Sequence, residues 1–236
     1  MLSSIQIPIW QVLVAMVGFP CAYIINSFSP WTRNLFGPRA DVSQRLPFYT
    51  SIIVLHVITV SVIIWRVNAL GYTAAAFGVN LVHALISGML LILVGSILAF
   101  IKPTQRESAV KETGRSSLEL LFPNTRLERL VYVLLSLSAG FCEEFIYRGF
   151  GLLALSGIPL NIVLAVSLTS VAFTFLHGRA AFSSKFVFWF GSGIVFCGIY
   201  IFSRNLLLVM VIHTVFDLML LFRHINPVPA MAEIKF

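Results

Sequence analysis

The chain has 236 residues, 58% of them hydrophobic and only 11% charged, with a formal charge of +7 and a mean hydropathy of +0.95. Soluble domains average about 25% charged residues, so the composition excludes a soluble globular domain and points to one all-α, polytopic membrane domain. The basic excess does not indicate a nucleic-acid partner, because the basic residues lie between hydrophobic runs, where they orient membrane segments.

Ile5–Ile25 reads as a first span, with Pro8 and Pro20 tolerated as kinks. Ser27–Pro47 carries Arg33, Arg39, Arg45 and Trp31 and reads as an interfacial loop before the second span, Phe48–Trp65. Arg66–Asn80 reads as a turn with a short interfacial helix, and Leu81–Ile101 as the third span. Lys102–Arg129 is polar throughout except for Leu118–Phe122, which suits the membrane surface. The fourth span begins near Leu130 and runs to about Leu155; Leu160–His177, Phe186–Phe202 and Leu206–Phe222 follow as the fifth to seventh. The expected division is N-terminal helices over 1–101, a cytoplasmic loop over 102–129 and a catalytic core over 130–222. With seven spans, thirteen basic residues fall on one side of the membrane and only Arg66 and Arg204 on the other. The N-terminus is then outside and the C-terminus cytoplasmic, in the cell membrane if the chain is prokaryotic. Cys21, Cys142 and Cys197 all fall in apolar runs and read as buried free thiols. Hydrophobic sequence precedes the first basic residue, Arg33, so no signal peptide is expected.

The fourth span contains Phe141–Gly151, FCEEFIYRGFG. An ionisable group at membrane depth costs roughly 2.5–3.5 kcal/mol on insertion scales, so Glu143, Glu144 and Arg148 together call for pairing or chemistry. Residues four apart share a helix face, which pairs Glu144 with Arg148 as structural support. Glu143 is turned about 100° away, with Tyr147 one turn on, and is left free. His177 closes the fifth span; His213 and Asp217, four apart, share one face of the seventh. Glu143, His177 and His213 form a ligand set suited to one divalent metal, zinc first, with an open water position. The same groups also work without metal: a carboxylate and an imidazole activate water, and the second imidazole stabilises the oxyanion, with Asp217 orienting His213 through its other ring nitrogen. Charge balance leans towards the metal, since a divalent ion offsets Glu143 and Asp217. His56 and His83 have no charged neighbour in their spans and read as helix–helix hydrogen bonders, and His224, beside Arg223 at the membrane exit, as solvated.

Glu143-Glu144-Phe145-Ile146-Tyr147-Arg148, Phe173-Thr174-Phe175-Leu176-His177 and His213-Thr214-Val215-Phe216-Asp217 stand in order on successive spans. This resembles the CAAX-protease and bacteriocin-processing (Abi) family of intramembrane endopeptidases, whose pattern is E-E-x-x-x-R, F-x-x-x-H and H-x-x-x-N/D. The resemblance covers about Arg129–Phe222. It implies hydrolysis of a peptide bond by water activated at Glu143 with His177, with His213 and Asp217 completing the site. The implied partners are membrane lipids and a protein or peptide substrate, such as a lipidated CAAX protein or a bacteriocin leader. Members are described both as metalloproteases and as metal-independent glutamate proteases. Asp217 stands where many members carry Asn. A non-catalytic scaffold of the same fold and a proton-coupled transporter are the rival readings; no inverted repeat supports the transporter.

Overall fold

The computed structural model describes residues 7–26, 29–35, 41–79, 82, 89, 121–156, 161–177 and 185–225, without the side chains of Trp31 and 222–225. Among the described residues every regular element is a helix. These are α1 (Ile9–Asn26), α2 (Pro30–Leu35), α3 (Arg45–Ala69), α4 (Arg126–Glu144), α5 (Leu153–Ser156), α6 (Ile162–Phe175), α7 (Phe186–Ser203) and α8 (Leu206–Ile225). Short 3₁₀ turns cover Val42–Gln44 and Ala74–Phe77. Among the described residues four helical stretches are long and apolar enough to cross a membrane: Ile9–Asn26, Val42–Ala69, Arg126–Ser156 and Phe186–Ser203. Their outward faces carry apolar side chains such as Trp10, Val14, Trp65 and Val187, as contact with lipid requires. The protein is an integral membrane helix bundle.

Several boundaries differ from the expected ones. Pro8 lies before α1 and kinks nothing, whereas Pro20 is inside the helix. The second span extends to Ala69, four residues beyond Trp65. The fourth starts at Arg126 because Thr125 and Glu128 form a capping box: the Thr125 side chain accepts from the Glu128 amide at 3.1 Å, and the Glu128 carboxylate accepts from the Thr125 amide at 3.0 Å. α6 is only 14 residues, roughly 21 Å at 1.5 Å per residue, short of a bilayer core of about 30 Å. The expected third span, Leu81–Ile101, and most of the Lys102–Arg129 loop lie outside the described residues, as do His83 and the side chain of His224.

Polar contacts set the helix registers. α1 and α3 are antiparallel, with Arg66 Nε donating to Gln11 Oε1 at 3.0 Å at one end and Asn26 Nδ2 donating to Ser51 Oγ at 3.0 Å at the other. α3 and α4 run parallel. Arg45 lies 3.7 Å from Glu128 where both helices begin, the Tyr49 and Tyr132 rings are 5.6 Å apart one turn on, and His56 Nδ1 lies 3.1 Å from Ser138 Oγ further up. α4 and α8 approach closely at Gly140, where an added Cβ would run into Thr214 Oγ1 and sit 2.8 Å from the Met210 carbonyl oxygen and the Thr214 amide nitrogen. Bare backbone at such a crossing is how membrane helices gain dispersion contact where lipid supplies no hydrophobic drive.

The helix through the glutamates is not α-helical throughout. Directly after Glu144 it widens into a π-helical segment, Phe145–Leu152, before α5 completes the 31-residue rod. Every residue from Ile146 to Leu155 is buried, so this segment is the centre of the bundle. A π segment hydrogen-bonds i to i+5, is rare, and occurs frequently at functional sites.

Candidate active site

The adjacent glutamates are divided between two jobs by the helix they share. Glu144 is fully buried, and its Oε1 accepts from Arg148 Nη1 at 2.9 Å, the pairing expected from the i, i+4 spacing. The same oxygen lies 2.8 Å from His213 Nδ1 on α8. A carboxylate paired with a guanidinium has no hydrogen to offer, so Nδ1 carries the hydrogen and donates it. Glu144, not Asp217, therefore orients His213. Asp217 Oδ2 is 3.9 Å from His213 Nε2, beyond hydrogen-bond length. The two share a helix face as expected, but α4 lies close enough at Gly140 for Glu144 to take the ring first.

Arg148 is buried completely and has further partners besides Glu144. Its Nη2 donates to the Gly193 carbonyl at 3.2 Å, and its guanidinium lies 4.4 Å from the centroid of the Phe173 ring. Gly193 is bare because α6 presses against it; an added Cβ would lie 3.0 Å from Ser170 Cα. Phe173 in turn sits edge-on to Tyr147, His177 and His213, with centroids 5.8, 5.3 and 6.0 Å away. This ring, flagged by the F-x-x-x-H spacing but given no role, is the common wall of the site.

Glu143 points the other way and is about nine-tenths buried. Its carboxylate interacts electrostatically with His56, His177 and His213. His177 stacks on Trp189, 3.5 Å between centroids and 18° between planes, and its Nδ1 lies 3.3 Å from the Phe173 carbonyl. A carbonyl can only accept, so Nδ1 carries the hydrogen and Nε2 is left with a lone pair. His213 is held between Phe196, stacked at 5.2 Å, and the edge of Phe173. His56 lies on α3 with its Nε2 3.3 Å from Glu143 Oε1. The helix–helix reading of His56 accounts for its contact with Ser138 on α4 and leaves out the carboxylate five residues further along that helix. His56, Trp189 and Phe196 were invisible as site residues in one dimension; no local pattern marks them.

The three motif segments thus converge on one buried site, and all lie within residues 125–219, which match the family model described as Type II CAAX prenyl endopeptidase Rce1-like. Over that segment the chain is similar to the Rce1-like family. It is a family of CAAX-type intramembrane proteases, which supports the coarse expectation of a membrane endopeptidase at family level. No curated protein and no solved structure matches the chain. His56 lies outside the Rce1-like match, on a part of the chain the family pattern does not describe.

The expected zinc ligands Glu143, His177 and His213 do not form a metal-binding cluster: among the described residues no three His, Cys, Asp or Glu side chains are so gathered. On each histidine Nδ1 is held, by Glu144 for His213 and by a backbone carbonyl for His177, and Nε2 is left over, an arrangement that a ligating imidazole also takes.

Proposed function

We propose that the protein cleaves a peptide bond near the C-terminus of a prenylated CAAX substrate, using water activated by Glu143. The observation that carries this reading is the division of the glutamate pair: Glu144 is consumed by Arg148 and His213, while Glu143 has only the His56 imidazole, 3.3 Å away, against its carboxylate among the described residues. Water would sit between Glu143 and the His177 lone pair. As its oxygen forms a bond to the scissile carbonyl carbon, Glu143 takes one water proton and the carbonyl electron pair moves onto oxygen. On collapse the C–N bond breaks and the proton on Glu143 passes to the departing amine. With Nδ1–H committed to Glu144, His213 has Nε2 left for the substrate, and between two carboxylates the ring can carry a hydrogen there and offer it to the oxyanion. The tight stacking of His177 on Trp189 holds one water partner in place, which limits the reorganisation needed at reaction.

The test uses the purified full chain and a farnesylated CAAX peptide. Glu143→Gln is expected to abolish cleavage with the thermal midpoint unchanged, since it removes the base and leaves the Glu144–Arg148 pair intact. Normal turnover by that variant would sink the assignment. Cleavage is further expected to survive chelation. Inactivation by a chelator, reversed by added zinc, would show that the ligand set closes around a metal after all.

A further inference from the structure

The buried carboxylate of Glu143 meets His56 from α3, a helix that lies outside the family match and carries no motif residue. His56 is completely buried, wedged beside the rings of Phe19 and Tyr23 at 5.5 and 6.0 Å. Its Nδ1 is 3.1 Å from Ser138 Oγ on α4, less than two turns before Glu143. Its Nε2 has no aligned hydrogen bond among the described residues and faces Glu143 Oε1 across 3.3 Å. A fully buried ring nitrogen aimed at a buried carboxylate that no Lys or Arg among the described residues pairs is costly unless the contact is used, because a buried polar atom without a partner forfeits about 1–3 kcal/mol.

We propose that His56 is a positioning residue for the reaction, holding Oε1 of Glu143 through Nε2–H so that Oε2 is the oxygen presented to water. This rests on the reading of Glu143 as the base. The Glu143 carboxylate can only accept, which calls for the Nε2–H tautomer, and Ser138 accommodates it. Its hydroxyl hydrogen can go to the Leu135 carbonyl, 2.9 Å away, or to His56 Nδ1; when it goes to Nδ1, the ring hydrogen sits on Nε2 and points at Glu143. Oε2 has no hydrogen-bond partner among the described residues, which leaves it for the water. The parallel register of α3 and α4, fixed lower down by Arg45–Glu128 and Tyr49–Tyr132, is what brings the imidazole to this depth. A base displaced by about 1 Å loses roughly a hundredfold in rate, so holding the carboxylate matters for turnover more than for affinity.

The experiment compares His56→Gln, which keeps a side-chain N–H donor, with His56→Leu, which keeps the bulk and loses it. Both are measured on the folded fraction against a farnesylated CAAX peptide, with Glu143→Gln alongside. The expected result is a kcat lowered about 30- to 100-fold in the Leu variant at a KM within twofold of the parent, and recovery to within about fivefold in the Gln variant. Equal losses in the two variants, or a KM effect with unchanged kcat, would overturn the proposal and leave His56 a packing residue. Should neither variant fold, Ser138→Ala keeps the ring and its packing. A kcat reduced about fivefold there supports the proposal, and a parental kcat overturns it. An active Glu143→Gln enzyme would instead remove the base assignment itself, a result distinct from any His56 outcome.

Discussion

One oxygen of Glu144 serves both Arg148 and His213, and its second oxygen is buried without a hydrogen-bond partner among the described residues. The group is thus an ionic hinge between α4 and α8, and its loss should be felt as stability before it is felt as chemistry. Glu144→Gln leaves Arg148 buried against a neutral amide, a change that typically costs about 3–5 kcal/mol when a buried pair loses one partner. The expected outcome is a sharply lower yield and thermal midpoint in detergent, with weak residual turnover in whatever folds. A variant with the parental midpoint would show that Gly193 and the Phe173 face satisfy Arg148 unaided.

At the scale of elements, the site depends on how near two backbones come. His213 reaches Glu144 because α8 crosses α4 at Gly140, with no side chain between them. Alanine there would gain roughly 0.5–1 kcal/mol in helix propensity over glycine. The added methyl, however, meets backbone atoms of α8 that cannot rotate away, and overpacking of this kind costs about 1–3 kcal/mol. Gly140→Ala is therefore expected to lower the thermal midpoint and to cut kcat at least tenfold, because the helices must separate at the level of the His213–Glu144 contact. An unchanged midpoint and rate would mean that α8 can slide without cost. The π segment after Glu144 belongs to the same scale. It widens the helix where Tyr147, Arg148 and Phe150 must all face protein, and an all-round buried helix has no lipid face to keep in register.

Across the whole molecule, α3 and α4 run in the same direction, as the second and fourth spans do in the topology drawn from basic residues. That topology places 102–129 in the cytoplasm. In a variant lacking Cys21, Cys142 and Cys197, a single cysteine at Ser108 is expected to react with a membrane-impermeant maleimide only after the cells are opened. Labelling in intact cells would invert the map, and with it the side from which substrate reaches Glu143.

Composition and hydropathy alone determined that this is a helical membrane protein, because the cost of exposed backbone in lipid leaves few other solutions for so apolar a chain. Periodicity within one helix determined the Glu144–Arg148 pair and the shared face of His213 and Asp217, since both are local consequences of 3.6 residues per turn. What only the tertiary structure decided is which helix faces which. That choice gave His213 to Glu144 instead of Asp217, and it placed His56 against Glu143, 87 residues further along the chain. It also set Trp189 on His177 and Arg148 on the face of Phe173. The physical reason is that interhelical register is fixed by close approaches at Gly140 and Gly193 and by a few buried polar contacts. These are complementarities between distant segments, and neither segment records them by itself.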